Sequence, residues 1–270
     1  MCVIAFKPYN VAFPSETILK NCYENNPDGA GFMYVYNDKL YIRKGFTTYE
    51  SFYEALNYAR KITGDNVPYV MHFRIATQGY QPTMTHPFPL STKMDSLKRL
   101  KTACNIGVAH NGIIQLTSDG SKDYSDTMKF ITDYLALIIQ SYDWYKNART
   151  KQLIERLMGS CRLAILDKNG HCELLGSGWI EDKGCFYSNN TYSYKKYVYP
   201  KWWAEDDYGY YYSTDRKKQG NYFSKYDEYA KYYNRNKRQY EFSETNCPLI
   251  VDNDSSYCYA CHNYYKCKYN

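Results

Sequence analysis

The spacing of apolar and polar positions predicts a mixture of strands and helices over residues 2–195. Apolar strands are predicted at 2–7 and 67–76, and a hairpin over 31–36 and 40–44 turns at Asn37-Asp38. Helical spacing predicts one helix from the N-cap residue Ser15 to about Asn25, and another over 49–62. Sheet and helix patterns thus alternate in the first part of the chain.

The same pattern continues to about residue 195. A strand is predicted at 106–110, with 113–116 as its continuation or partner, followed by amphipathic helices over 125–140 and 150–158. A second hairpin pairs 161–166 with 172–175. Strands that flank paired helices indicate a layered α+β domain over residues 2–195.

Composition changes in residues 196–270, where aliphatic residues become scarce. More than half of the 34 tyrosines lie from Tyr187 onward. The aromatic content is too high for a typical disordered segment, so we predict an extended arm or a small separate module. Its tyrosines alternate with basic residues, which suits either packing against a partner or stacking on nucleic acid. The net charge of +6 requires no nucleic-acid partner.

The chain has no apolar run of the roughly 18 residues that span a bilayer and no secretory leader. We therefore expect no membrane association and a reducing cytoplasm, of the producing cell or of the host if the AT-rich composition is viral. Most of the ten cysteines are then expected to be thiols or metal ligands rather than disulfides.

Cys2 is the first candidate for chemistry. A small residue after Met1 permits removal of that methionine, which leaves Cys2 with both a thiol and a free α-amine. Their ordinary pKa values are about 8.5 and about 7.7–8.0, so near neutral pH one residue can supply both nucleophile and general base. A cysteine at this position alone is weak evidence.

Ordered motifs follow Cys2 along the chain. They are NPDGAGF at 26–32, HFRIATQG at 72–79, THPF at 85–88, AHNGII at 109–114 and SDT at 125–127, with WIED at 179–182 and FYSN at 186–189. Together with Cys2 they resemble the class II, N-terminal-nucleophile (Ntn) glutamine amidotransferases, especially the stand-alone amidotransferase-like proteins. The resemblance covers roughly residues 2–195.

The resemblance implies an αββα four-layer Ntn-hydrolase sandwich. It implies that Cys2 attacks the side-chain amide of glutamine or a related γ-glutamyl amide, and that Asn111 and Gly112 form the oxyanion hole. The substrate's α-carboxylate would bind Arg74 and Thr77, and its α-ammonium would bind Asp126. No cofactor is implied for catalysis. A free amino acid carries one anion and one cation, so an Arg and an Asp suit it independently of the family.

Each site residue also has a plainer interpretation. Arg74 can be a surface arginine, Asn111-Gly112 the centre of a type I′ hairpin turn, and Asp126 a helix cap. The three histidines of the motifs are more often structural than catalytic, and we assign them no chemical step. The thiols expected in core or half-buried positions are Cys22, Cys104, Cys161, Cys172 and Cys185.

Four cysteines near the end of the chain have metal-ligand spacing. They are Cys247, Cys258, Cys261 and Cys267, and four thiolates of this kind hold a structural Zn²⁺ in many proteins. Free thiols on an aromatic segment are the alternative. The haem-attachment string Cys258-x-x-Cys261-His262 requires export, which the absence of a leader disfavours.

Three functions remain open from the sequence. The first is an amidohydrolase or amidotransferase that releases ammonia to water or to a partner synthase. The second is a catalytically inert scaffold that keeps the fold and binds a partner protein or nucleic acid through residues 196–270. The third is that residues 196–270 bind zinc and then RNA or DNA, which would direct the amide chemistry to a nucleic-acid substrate.

Overall fold

The computed structural model describes residues 2–76, 81–118 and 123–194. Its strands are β1 (Val3–Lys7), β2 (Ala30–Tyr36), β3 (Lys39–Phe46), β4 (Tyr69–Phe73), β5 (Phe88–Pro89), β6 (Lys101–Cys104), β7 (Ile106–Asn111), β8 (Arg162–Asp167), β9 (Cys172–Leu175), β10 (Ile180–Asp182) and β11 (Cys185–Tyr187). They form a seven-stranded sheet, ordered β10-β11-β1-β4-β2-β3-β6, and a four-stranded sheet, ordered β5-β7-β8-β9.

The described residues form six α-helices. They are α1 (Glu16–Asn25), α2 (Tyr49–Thr63), α3 (Met94–Lys98), α4 (Asp126–Phe130), α5 (Ala136–Ile138) and α6 (Ala148–Met158). Every strand pairing in the described residues is antiparallel, so the predicted α+β class is confirmed. No described helix is long and apolar enough to cross a bilayer.

Three hydrophobic cores lie between the layers of helices and sheets. The first lies between α1, α2 and one face of the large sheet, and includes Leu19, Phe52 and Val3. Ile4 points to the opposite face, where a second core joins the two sheets to each other. The third core, which includes Phe130, lies between the small sheet and the helices α4 and α6. The described domain therefore has helices on the outside and two sheets within, because successive strand residues face opposite sides.

Local signals account for several element boundaries. The Ser15 hydroxyl accepts a hydrogen bond from the N–H of Ile18 and begins α1, and Thr48 caps α2 in the same way. Asn37 and Asp38 both have positive φ, as a two-residue type I′ turn between β2 and β3 requires. These features follow from local chemistry, and the sequence predicted the Ser15 cap and the Asn37-Asp38 turn, whereas the Thr48 cap was not predicted.

Other predictions were wrong in detail. Residues 113–116 form no strand: they lead into a 3₁₀ turn at Gln115–Thr117, and the N–H of Ile114 is bound by the Asp126 carboxylate instead of a neighbouring strand. The helix predicted over 125–140 is interrupted, because a π-helical stretch at Ile131–Leu135 separates α4 from α5. The edge strand β6 and the short helix α3 were not predicted.

Candidate active site

A cavity of about 650 Å³ opens where the two sheets meet. Five of the six residues predicted for catalysis and substrate binding line it: Cys2, Arg74, Asn111, Gly112 and Asp126. These residues come from β1, the end of β4, the end of β7 and the start of α4. The sixth, Thr77, lies outside the described residues, as do Cys247, Cys258, Cys261 and Cys267.

Cys2 lies at the start of β1, a central strand of the large sheet. Its Sγ is 3.4 Å from the backbone nitrogen of Ile75, which donates to it, and 3.5 Å from the Ile75 oxygen. Burial raises the pKa of the thiol, whereas the Ile75 N–H and the charge of Arg74 act in the opposite direction. The Cys2 carbonyl accepts a hydrogen bond from Asn189 Nδ2 at 2.7 Å. The residue is thus held from both sides.

The NPDGAGF motif positions the segment that carries Arg74. The N–H of Arg74 donates to the Gly29 oxygen at 2.8 Å, and the N–H of Asp28 donates to the Arg74 oxygen at 2.9 Å. The Asp28 carboxylate accepts from the N–H of Ala76 at 2.8 Å. Arg74 is 6% exposed, so it is not the surface arginine of the plainer interpretation.

Asn111 and Gly112 end β7 and do not form a hairpin turn, since β7 pairs with β5 and β8 rather than with the following segment. Gly112 has φ +140°, which L side chains rarely adopt, and a Cβ there would lie 2.5 Å from Cys161 Sγ. Backbone conformation and close approach both require glycine at this position.

The Asn111 amide is fixed by the opposite sheet. Its Nδ2 donates to Ser188 Oγ at 2.9 Å, and the same hydroxyl accepts from the N–H of Ile4 at 2.8 Å. The Asn111 Oδ1 is buried and has no hydrogen-bond partner in the described part of the chain. An amide nitrogen has two hydrogens. One is donated to Ser188, and the other remains available to a bound group.

Asp126 is not the cap of α4, because the Ser125 hydroxyl accepts from the N–H of Met128 and performs that role. The Asp126 carboxylate instead accepts from the N–H of Ile114 at 2.7 Å and from the N–H of Thr127 at 2.7 Å. It thereby ties α4 to the loop that follows Gly112. Its Oδ1 also accepts from the Thr127 hydroxyl at 3.3 Å, so Oδ2 is the oxygen that keeps a lone pair for a further donor.

Three buried histidines lie between the two sheets beside the cavity. His86 Nδ1 is 3.0 Å from His72 Nε2 and 3.0 Å from the His110 oxygen, and His110 Nδ1 is 2.7 Å from Thr127 Oγ1. Burial lowers the pKa of His72 to about 3 and that of His110 to about 4, and it also lowers the pKa of His86. The cluster is therefore neutral near pH 7 and acts through hydrogen bonds.

Sequence reasoning missed several residues of the site. Ser188 and Asn189 appeared in the FYSN motif without a role, and Arg162, which lines the cavity, appeared as the second residue of the predicted hairpin strand 161–166. Their contacts join positions far apart in the chain, so local spacing carries no signal for them. The described cysteines lie in buried or half-buried positions, as predicted, and no described group of three or more His, Cys, Asp or Glu residues could hold a metal ion.

Comparison with known proteins finds a likeness among solved structures. No protein-family model and no curated protein matches the sequence. A glutamine phosphoribosylpyrophosphate (PRPP) amidotransferase from B. subtilis, solved in complex with ADP and GMP, matches with a TM-score of 0.40 and 18% identity. The match covers 62% of this chain and 35% of that chain, so this chain spans little more than a third of that protein.

Proposed function

We propose that this protein is an Ntn-type amidohydrolase of the class II glutamine amidotransferase kind, with Cys2 as its nucleophile. The observation that carries the proposal is the convergence of Cys2, Arg74, Asn111, Gly112 and Asp126 on one cavity. These residues are distant in sequence, and each belongs to one of the sequence motifs or to the N-terminal position that precedes them. Their assembly around the thiol supports a shared chemical role.

In the proposed reaction Cys2 Sγ attacks the side-chain amide carbon of a γ-glutamyl substrate. The α-amine of Cys2, free once Met1 is removed, accepts the thiol proton directly or through one water. Asn111 Nδ2 and the Gly112 N–H donate to the oxyanion. The C–N bond then breaks, the proton passes to the leaving nitrogen, and water hydrolyses the thioester to glutamate.

Arg74 and Asp126 are proposed to hold the amino acid end of the substrate. The Arg74 guanidinium suits a carboxylate because two parallel N–H groups bind two oxygens. Asp126 binds the ammonium with the lone pair of Oδ2 that the Ile114 N–H leaves. The ammonia released from a simple amide goes to water or to a partner synthase.

Covalent trapping tests the proposal. The full chain is incubated with 6-diazo-5-oxo-norleucine, a glutamine-like electrophile, and the adduct is mapped by mass spectrometry. We expect loss of Met1 and one adduct on Cys2, with none in Cys2→Ala. A retained Met1 and an unlabelled Cys2 in a folded protein would overturn the proposal and favour the inert scaffold.

A further inference from the structure

The charges around the cavity exceed what a free amino acid needs. Among the described lining residues Asp126 is the one acid, whereas three are arginines: Arg74, Arg156 and Arg162. In the proposed function Arg74 and Asp126 serve the carboxylate and the ammonium of the glutamyl group. The cavity then keeps two further positive charges, of which Arg156 is exposed and Arg162 is half-buried. A cavity of this kind favours a ligand with an additional negative charge.

Arg162 lies directly beside the proposed oxyanion hole. It is the first residue of β8 and pairs across the ladder with Asn111, so the two side chains lie on the same face of the small sheet. Its Nε is buried and has no hydrogen-bond partner in the described ranges. Gly178 packs so closely against the Arg162 guanidinium that a Cβ would overlap it.

An unpartnered guanidinium nitrogen in a buried position is costly unless a ligand supplies an acceptor. Arg162 lines the cavity, and its guanidinium lies against Gly178. A carboxylate is the group that this fork of donors binds best.

The size of the cavity agrees with a substrate larger than glutamine. Glutamine has about ten non-hydrogen atoms, which fill at most roughly 300 Å³ if each takes the share of a water molecule. The cavity has about 650 Å³. Room therefore remains for a substituent on the amide nitrogen. In the proposed reaction that nitrogen is bonded to the carbon whose oxygen faces Asn111, and Arg162 is the ladder partner of Asn111, so we place the substituent on the side of Arg162.

We propose that Arg162 binds a carboxylate on the amine side of the scissile bond, so that the preferred substrates are γ-glutamyl conjugates of amino acids rather than free glutamine. The inference rests on the proposed function and narrows its substrate class. The reaction consumes one water: the amide C–N bond breaks after the C–S bond forms, the nitrogen gains a proton, and hydrolysis of the thioester gives glutamate and the free amino acid.

A matched pair of substrates tests this inference. γ-Glutamylglycine and γ-glutamylglycinamide differ in one carboxylate, and hydrolysis of each is followed by glutamate release from the full chain. We expect kcat/KM of wild type to favour γ-glutamylglycine by about tenfold to a hundredfold, the range for a charge-assisted hydrogen bond. In Arg162→Met the ratio should fall to about one, and Arg162→Lys should retain part of it. Arg149→Met removes an exposed arginine outside the cavity and should leave the ratio unchanged.

The outcomes separate this inference from the function on which it rests. Labelling of Cys2 and hydrolysis of both substrates at equal kcat/KM in wild type would overturn the role of Arg162 and keep the amidohydrolase. The same holds if Arg162→Met, folded as judged by its unfolding temperature, keeps the wild-type ratio. Absence of both labelling and hydrolysis would overturn both. If Arg162→Met does not fold, the test is the ratio of kcat/KM for the two substrates, measured in wild type and in Arg162→Lys.

Discussion

The two walls of the cavity each contain a thiol, and their surroundings differ. On the wall from the large sheet, Cys2 is half-buried, receives the Ile75 N–H, and lies near the positive charge of Arg74. On the wall from the small sheet, Cys161 is 3% exposed. Burial and Asp126 raise the pKa of its thiol, whereas a backbone hydrogen bond from Ile113 and the charge of Arg162 act in the opposite direction. Burial thus disfavours both thiolates, and each has a hydrogen bond and an arginine that favour its anion. The two thiols differ because Cys2 is the more exposed and Cys161 lies near a carboxylate, which supports the proposal that Cys2 is the nucleophile.

The walls are nevertheless interdependent. Asn111 of the small sheet is oriented by Ser188, which follows the last strand of the large sheet. His72 of the large sheet bonds through Nε2 to the His110 oxygen of the small one, at 2.9 Å. The site is thus assembled by contacts between the sheets, and neither sheet alone contains it.

The largest effect is expected from removing each thiol in turn. Cys2→Ala should lower kcat for γ-glutamyl amide hydrolysis by about 10⁴- to 10⁶-fold, the range for loss of a nucleophile elsewhere. Cys161→Ala should keep the adduct on Cys2 and cost mainly stability, by about 0.5–3 kcal/mol. Steady-state rates and urea unfolding of both variants measure this. An active Cys2→Ala, or an adduct on Cys161 in wild type, would reverse the assignment of the two thiols.

The next largest effect is expected from acid, which should lower the free energy of unfolding through the buried histidines between the two walls. The pKa values of His72 and His110, about 3 and about 4, lie below the unfolded value of about 6.5. The unfolded chain therefore binds more protons below pH 6.5, and the stability present above that pH is lost as pH falls toward the folded values. Each histidine contributes up to about 1.4 kcal/mol per pH unit. Urea unfolding between pH 7 and pH 4.5 measures the loss.

Carboxylates also titrate in acid, so a matched control is needed. His171 lies near the surface beside Glu173, with 38% of its side chain exposed. His171→Asn is the matched control, because it removes an imidazole outside the buried cluster, and His72→Gln should make the pH dependence shallower. Equal profiles for wild type and His72→Gln would show that the buried cluster does not control acid stability.

Asn111→Ala is expected to lower kcat by about 10²- to 10³-fold with little change in KM, because the donor acts on charge that develops in the transition state. Ser188→Ala should reproduce part of this loss, since it releases the amide that Ser188 holds at 2.9 Å. A double-mutant cycle measures the coupling, and Ser188→Thr should restore some activity. Additive losses, or losses confined to KM, would mean that Ser188 does not position Asn111.

The sequence predicted local features well and long-range ones poorly, for a physical reason. Ser15 and the Asn37-Asp38 turn act on neighbouring residues, so their patterns are visible in the chain. The segment 113–116 looked like a strand, but its backbone is bound by Asp126 twelve residues later. Arg162 and Ser188 have meaning only beside Asn111, which the ladder of β7 with β8 and the meeting of the two sheets bring to them.

The motif residues were predictable for a different reason: their resemblance to a known family carries long-range information that spacing does not. That information gave Cys2, Arg74, Asn111, Gly112 and Asp126, which the structure gathers at one cavity. It gave no role to Arg162, whose buried Nε and position beside Asn111 are features of the folded structure alone.

The smallest expected effect tests how tightly Gly112 and Cys161 pack. Gly112→Ala forces a Cβ to 2.5 Å from Cys161 Sγ and 3.0 Å from its Cβ, at φ +140°. We expect a loss of about 1–3 kcal/mol in the free energy of unfolding, part of it from the backbone conformation. In a Cys161→Ala background the sulfur overlap disappears while the backbone cost remains, so the loss should be smaller but not zero. Urea unfolding of the four proteins measures both parts. Strictly additive losses would mean that the loop after Asn111 moves away from Cys161, and that the glycine is needed for its conformation alone.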